Sequence, residues 1–318
     1  QAEGGLFLRL NGAFRQRCDV PALAGARILA PTDRGIGLGR WFGPHREGGS
    51  WRRASTCRFC VFEAPRKGAG WAAMMIVSVV SHGQNQLAAP LIRSLLECVS
   101  VDRVFLTCNI PEDAPLIPHS RLEIIVNDRP KGFGANHNQA FRRAQADYPD
   151  AEFFCILNPD ITLSRNPFPE LIKDLAGPGI AVAAPQIMSP LGIPEDSARK
   201  FPTILGLALK LLGLSNGIFP HPPDGAAFEP DWVAGMFMLV KAREFAAIGG
   251  FDERFFLYYE DVDLCWRLRR SGRTILCDPA VSAVHDARRE SHLNAKYLIW
   301  HLRRMALYFG VRLRDYFK

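Results

Sequence analysis

From residue 74 onward the chain alternates between two hydrophobic periods. Short runs rich in Val, Ile and Phe (MIVSVVS, DRVFLTC, LEIIVN, EFFCILN and IAVAAPQIM) have the length and composition of buried strands. Between them, apolar positions recur every three to four residues and predict helices near 86–99, 135–146 and 167–176. This alternation predicts an α/β fold: a mostly parallel central sheet with helices on both faces and ligands at the carboxyl ends of the strands. After residue 188 the pattern changes to a Pro- and Gly-rich stretch holding an apolar segment at 201–220. A strand over WVAGMFMLV follows, then a helix over EDVDLCWRLRRSG, short strands RTILCD and VSAVH, and an amphipathic helix near 292–309. No internal repeat is visible, and both halves feed one sheet, so residues 74–318 are expected to form a single domain.

Residues 1–73 behave differently. They hold twelve of the 27 glycines and eleven Arg to one Lys, and sustain neither apolar period. The first methionines are Met74 and Met75, where strand periodicity begins. The expectation is that the native protein starts there and that 1–73 is a disordered or non-native extension. This segment also accounts for the charge. The chain carries +7, but residues 1–73 contain 12 Lys and Arg against 5 Asp and Glu, leaving 27 against 27 in the remainder. A neutral body offers no electrostatic footprint for a phosphate backbone, so no nucleic-acid partner is expected.

The eight cysteines are scattered, several inside strand-like runs, where a reduced thiol acts as a small buried hydrophobe. Cys57 and Cys60 form a lone CxxC without a second pair at zinc spacing. No run of 18 apolar residues and no signal-peptide core occurs, so a cytoplasmic location is expected.

Three features carry chemistry. The run EFFCILN ends in Asn158-Pro159-Asp160, which places a carboxylate just past a buried strand. Mg²⁺ and Mn²⁺ take one or two protein carboxylates when phosphates and water supply the rest, so one Asp can suffice; the same tripeptide also reads as a plain turn. Glu260, Asp261 and Asp263 open a helix-patterned segment. They either complement the helix dipole or include a general base whose pKa rises beside Phe255, Phe256, Tyr258 and Tyr259. His285 ends the run VSAVH, where an isolated histidine is ordinarily a hydrogen-bonded structural residue.

Taken together, LNPDI, the block WVAGMFMLVKAREFAAIGGFDERFFLYYEDVDLCWRLRRSG and His285 resemble the inverting family 2 glycosyltransferases of the GT-A fold, particularly the bacterial rhamnosyltransferase-like branch. The similarity spans about residues 75–310. It implies a metal-dependent enzyme using a divalent cation (Mg²⁺ or Mn²⁺) held by Asp160 and His285, with Asp261 as catalytic base beside Glu260. It implies a dTDP- or UDP-linked sugar donor contacted by Ser81, His82, Asn109, Gly132, Gly134, Asn138, Asn158, Gly235 and Arg288. The Gly-rich turn NDRPKGFGANHNQA would present helix N–H groups to an anion. It is not a dinucleotide fingerprint, because His137 stands where a glycine is needed. Ser81-His82-Gly83-Gln84 and Thr107-Cys108-Asn109 depart from the family pattern of Asn-Tyr-Asn and a base-holding Asp.

The resemblance further implies a saccharide or lipid-linked acceptor in bacterial surface polysaccharide synthesis. The 201–220 segment reads either as a core helix or as an interfacial flap for such an acceptor. The closing helix reads as a peripheral membrane contact or a homodimer surface. Two other classes compete: a catalytically weak glycosyltransferase-like binding protein, motivated by Asn158 and the altered strand ends, and a nucleotidyltransferase. The latter would carry a basic Gly-rich loop after the first strand, and SHGQNQ has no basic residue.

Overall fold

The computed structural model describes residues 73–112, 117–212, 219, 222, 224–286 and 295–316. The segment 1–72, with its CxxC, and Arg288 lie outside the described residues. The first strands and helices follow the expected alternation: β1 (Met74–Ser81), α1 (Asn85–Glu97), β2 (Arg103–Cys108), β3 (Leu122–Val126), α2 (Phe133–Asp147), β4 (Ala151–Leu157), β5 (Ile161–Thr162), α3 (Phe168–Leu175) and β6 (Ile180–Met188). The second half adds β7 (Ala198–Arg199), α4 (Ile204–Leu211), β8 (Trp232–Val233), β9 (Phe237–Lys241), α5 (Ala242–Ala247), α6 (Glu260–Arg270), β10 (Thr274–His285) and α7 (Ala295–Tyr316).

Eight of these strands form one sheet in the order β3-β2-β1-β4-β9-β6-β10-β5. β1 pairs in parallel with β2 and β4, β2 with β3, and β6 with β10, whereas β9 and β5 run against their neighbours. Alternate residues of each central strand enter different cores, as the two-residue period of a strand requires. Met75, Val77 and Val79 of β1 join α1 and α3 on one face. Ile76 of β1 and Phe154 and Ile156 of β4 join α2, α5, α6 and α7 on the other. Because both faces are buried, the strands read as continuous apolar runs. Cys98, Cys108, Cys155, Cys265 and Cys277 are free and buried, as expected for core thiols.

Two predicted elements differ from the structure. The run WVAGMFMLV is not one strand: β8 pairs with β7 in a separate two-stranded ribbon, β9 enters the main sheet, and residues 234–236 bend between them. Conversely, RTILCD and VSAVH form one strand, β10, with a register shift between Asp278 and Ser282 that absorbs Pro279, Ala280 and Val281.

The closing helix packs onto the domain through its buried face. Tyr308 of α7 is fully buried, with its ring 5.4 Å from that of Tyr259. The Arg312 guanidinium lies 5.4 Å from the Phe201 and Trp266 rings and donates to the Tyr308 hydroxyl at 2.7 Å. Arg304 donates to the Arg254 carbonyl at 2.8 Å. Arg304 and Arg312 thus bind the helix to the body of the domain, while Arg303 and Arg314 are exposed. Among the described residues no helix is long and apolar enough to cross a membrane.

Candidate active site

The bend between β8 and β9 brings the chemistry-bearing segments together through three consecutive residues. Ala234 N–H donates to the Ser197 carbonyl at 2.8 Å, which anchors the segment carrying Glu195. Gly235 N–H donates to Asp261 Oδ2 at 3.1 Å. The Met236 carbonyl accepts from Asn158 N–H at 2.9 Å, which anchors the turn carrying Asp160. A Cβ on Gly235 would lie 3.1 Å from the Phe133 ring, so the small residue also lets the start of α2 pack onto the bend.

Asn158-Pro159-Asp160 is indeed a turn, closing with Ile161 N–H on the Asn158 carbonyl at 3.4 Å. The same turn delivers a carboxylate to a histidine. β5 pairs antiparallel with the end of β10, with Ile161 opposite His285, so Asp160 Oδ2 comes within 3.3 Å of His285 Nε2. The other ring nitrogen, Nδ1, is 2.9 Å from Glu195 Oε2. Burial pushes the imidazole pKa down, but hydrogen bonds and charge from Asp160 and Glu195 outweigh it and hold the ring above its ordinary value. Asp160 Oδ1 is buried and has no hydrogen-bond partner. Among the described residues no group of three or more His, Cys, Asp or Glu side chains is placed to hold a metal ion by itself.

The start of α6 is set by an unusual backbone. Tyr258 and Tyr259 both adopt left-handed dihedrals (φ 72° and 71°), which for side-chain-bearing residues costs roughly 1–2 kcal/mol each. Burial of Tyr259 against Tyr308 offsets this cost, and Asp263 N–H bonds the Tyr259 carbonyl at 2.9 Å to begin the helix. The three following carboxylates have separate fates. Asp261 stays partly accessible and accepts from Gly235 N–H and, at 2.8 Å, from Val262 N–H. Burial raises its pKa, and those two donors only partly offset the rise. Glu260 is buried, with Oε2 unpartnered, and burial together with the Asp261 charge holds its carboxyl well above the usual range. Asp263 pairs with Arg267 at 2.7 Å, and Arg267 also donates to the Ile248 and Gly250 carbonyls at 2.7 and 2.8 Å, tying down the Gly-Gly turn.

Several residues expected at the donor have their polar atoms committed within the fold. Ser81 Oγ accepts from Gln84 N–H at 2.9 Å, shaping the entry to α1. Asn109 bridges to Lys131, accepting from its N–H at 2.8 Å and donating to its carbonyl at 2.9 Å, so the residue at the family's base-holding position fastens a loop. His82 is exposed, with Nδ1 3.2 Å from the Asn109 amide. Asn138 exchanges hydrogen bonds with the backbone of Phe251, at 2.8 and 2.9 Å. Gly132 and Gly134 serve close packing: a Cβ would lie 2.6 Å from the Phe256 carbonyl oxygen at the first and 2.5 Å from Phe251 Cβ at the second. The Phe256 carbonyl also takes the Phe133 N–H at 2.9 Å, so this helix start does not offer that group to an anion as the sequence suggested. At the Gly249-Gly250 turn, a Cβ on Gly250 would collide with Asn138 Oδ1. His137 is fully buried beside Ser78 Oγ at 2.9 Å, and burial pushes its pKa down to about 3, so it is neutral.

Two residues near the bend escaped sequence reasoning. Glu195 is one; its partner His285 lies 90 positions away, and only the loop fold joins them. Arg199 is the other, a β7 residue paired with Asp196 whose charge favours ionised Asp261.

No family model matches the chain. It is 29% identical over 245 residues to the rhamnosyltransferase WbbL of Escherichia coli K12, covering 72% of this chain and 90% of that protein. It is 31% identical over 146 residues to the N-acetylglucosaminyl-diphospho-decaprenol L-rhamnosyltransferase of Mycobacterium tuberculosis H37Rv, covering 42% of this chain and 47% of that protein. Among solved structures, the mannosyltransferase PcManGT of Pyrobaculum calidifontis, in complex with GDP-Man and Mn²⁺, superposes with a TM-score of 0.51 at 16% identity over 79% of this chain and 68% of that one. GalNAc-T7 with UDP, GalNAc and Mn²⁺ gives 0.50 at 14% identity, over 68% of this chain and 44% of that one. With its sheet architecture and these sequence relatives, the chain is a rhamnosyltransferase-like glycosyltransferase of the GT-A fold.

Proposed function

We propose that the chain transfers a sugar, with inversion, from a nucleoside diphosphate to an acceptor hydroxyl at the site gathered around residues 234–236. The observation that carries this reading is the bend itself, whose three residues tie the Glu195, Asp261 and Asp160 segments to one point. Asp160 and His285 suit a divalent cation: one buried carboxylate oxygen lacks a partner, and an imidazole nitrogen faces the other across 3.3 Å. These two residues would hold Mg²⁺ or Mn²⁺, which supplies charge neutralisation for the leaving diphosphate when bound.

Asp261 takes the acceptor proton as that oxygen attacks the anomeric carbon from the face opposite the leaving group. One base and one displacement invert the anomeric centre. The backbone donors of Gly235 and Val262 fix the carboxylate's orientation, and burial strengthens it as a base. Burial and the Asp261 charge raise the carboxyl pKa of the adjoining Glu260. His82, Asn109, Asn158 and Gly235 would face the donor, while Ser81, Gly132, Gly134 and Asn138 shape that side through the contacts above.

The named relatives favour dTDP-rhamnose as donor and a lipid-linked saccharide as acceptor. Ile204 and Leu205 of α4, with Leu212 and Leu313, are at least 62% exposed, which supports peripheral contact with the inner face of a membrane. The test is incubation with dTDP-rhamnose or UDP-sugars and a lipid-diphosphate acceptor, with and without Mn²⁺, and NMR of the product's anomeric configuration. Inversion that depends on Mn²⁺ supports the mechanism; retention of configuration, or turnover undiminished by chelation, refutes it.

A further inference from the structure

Glu195 belongs to none of the roles assigned above, yet its placement is closely determined. β6 ends at Met188, and the chain turns back through Ser189–Ile193, with Gly192 at φ 72°. The turn closes with Gly192 N–H on the Ser189 carbonyl at 2.9 Å and Ser189 N–H on the Ile193 carbonyl at 2.8 Å. Glu195 N–H then bonds the Ile187 carbonyl at 2.8 Å, and two residues later the Ser197 carbonyl accepts from Ala234. Ile187 pairs with Ala283 of β10, two residues before His285. The carboxylate is therefore held at both ends of its segment, and its side chain is only 17% exposed.

The chemistry of the row Glu195–His285–Asp160 is informative. A neutral imidazole carries one N–H. If Nδ1 donates to Glu195 across 2.9 Å, the Nε2 lone pair of the neutral ring faces the Asp160 carboxylate across 3.3 Å, and two acceptors cannot bond without a second ring proton or a cation between them. If the tautomer were reversed, Nδ1 and Glu195 would be the mismatched pair. A ring with Nε2 free as a ligand toward Asp160 therefore requires an acceptor at Nδ1.

We infer that Glu195 is a positioning residue: it takes the Nδ1–H of His285 and fixes the ring with Nε2 as the ligand-bearing atom beside Asp160. This rests on the cation site of the proposed function and adds to it the group that selects the histidine's tautomer and angle. Partners of metal-binding histidines typically contribute about 10–100-fold to metal affinity.

Three variants of the full chain test it: Glu195→Ala, Glu195→Gln and Asp160→Asn. Mn²⁺ affinity is read by EPR in the presence of dTDP or UDP, and the tautomer of the neutral His285 ring by ¹⁵N NMR without metal. Glu195→Ala is expected to weaken Mn²⁺ binding at least tenfold and to lose the Nδ1–H preference. Glu195→Gln, whose amide oxygen can still accept, is expected to restore most of both, which general loosening of the loop would not produce. Wild-type Mn²⁺ affinity and an unchanged tautomer in Glu195→Ala would overturn the inference. Asp160→Asn separates the two claims. If it too binds Mn²⁺ like the wild type, the cation reading falls, and the tautomer alone decides whether Glu195 positions the ring.

Discussion

Replacing Asp261 by Asn removes the proposed base while conserving shape. The wild-type carboxylate accepts two backbone N–H groups, from Gly235 at 3.1 Å and Val262 at 2.8 Å. An Asn side chain has one acceptor oxygen, so one bond is lost at a net cost of about 1 kcal/mol. The charge removed was itself disfavoured by burial, which offsets part of that cost. For a domain of this size about 1 kcal/mol corresponds to a Tm shift of roughly 2–4 °C, so the variant should remain folded at assay temperature. The kinetic cost should be far larger: loss of a general base removes about 10²–10⁴-fold in rate, and the lower bound already equals ~2.7 kcal/mol of barrier. Steady-state transfer assays should show kcat falling at least 100-fold, with donor affinity by calorimetry within a few-fold of wild type. Because burial raises the Asp261 pKa, wild-type activity should decline with acidification at a pH above the ordinary Asp value, and that limb should vanish from the variant's residual rate. Turnover within threefold of wild type, with the acid limb intact, would refute the assignment of the base.

Two further outcomes follow from packing and burial. Glu260 is protonated more readily folded than unfolded, so the folded state binds more protons and stability falls as pH rises from the unfolded carboxyl value through the folded one. Glu260→Gln should therefore raise Tm relative to wild type at pH 8, with the gain shrinking as pH is lowered; a gain that grows on acidification would contradict the raised pKa of the buried carboxyl. Gly134→Ala would set a methyl 2.5 Å from Phe251 Cβ and should cost about 1–3 kcal/mol in urea unfolding, with reduced turnover as the 251–259 loop shifts; unchanged stability would show that the loop does not pack as described.

Much of the fold was legible because its central strands are buried on both faces. Continuous apolar runs with helical segments between them leave few alternatives to a parallel α/β sheet, and β1, β2, β4 and β6 form where their runs stand. The feature that organises the site was not legible. WVAGMFMLV has a strand's composition apart from Gly235, and that one local signal does not say what the bend meets; its bonds go to Ser197, Asp261 and Asn158, all remote in sequence. Asp160 and His285 were recognised as chemical, and β5–β10 pairing brings them together. Glu195 sat in a Pro- and Gly-rich stretch with no periodicity to place it. The glycines at 132 and 134 stand out in the sequence as a Gly-rich turn, but that their missing side chains admit Phe256 and Phe251 is not legible there.

The central claim is that Asp160, His285 and Asp261 serve one reaction centre beside the 234–236 bend. Anomalous diffraction from crystals grown with Mn²⁺ and a nucleoside diphosphate tests it most directly. The account predicts a manganese peak bonded to Asp160 and His285, with the diphosphate on it and the Asp261 carboxylate across the same cleft. A fully occupied nucleotide whose manganese touches neither residue, or whose diphosphate lies in a cleft that Asp261 does not face, would contradict it.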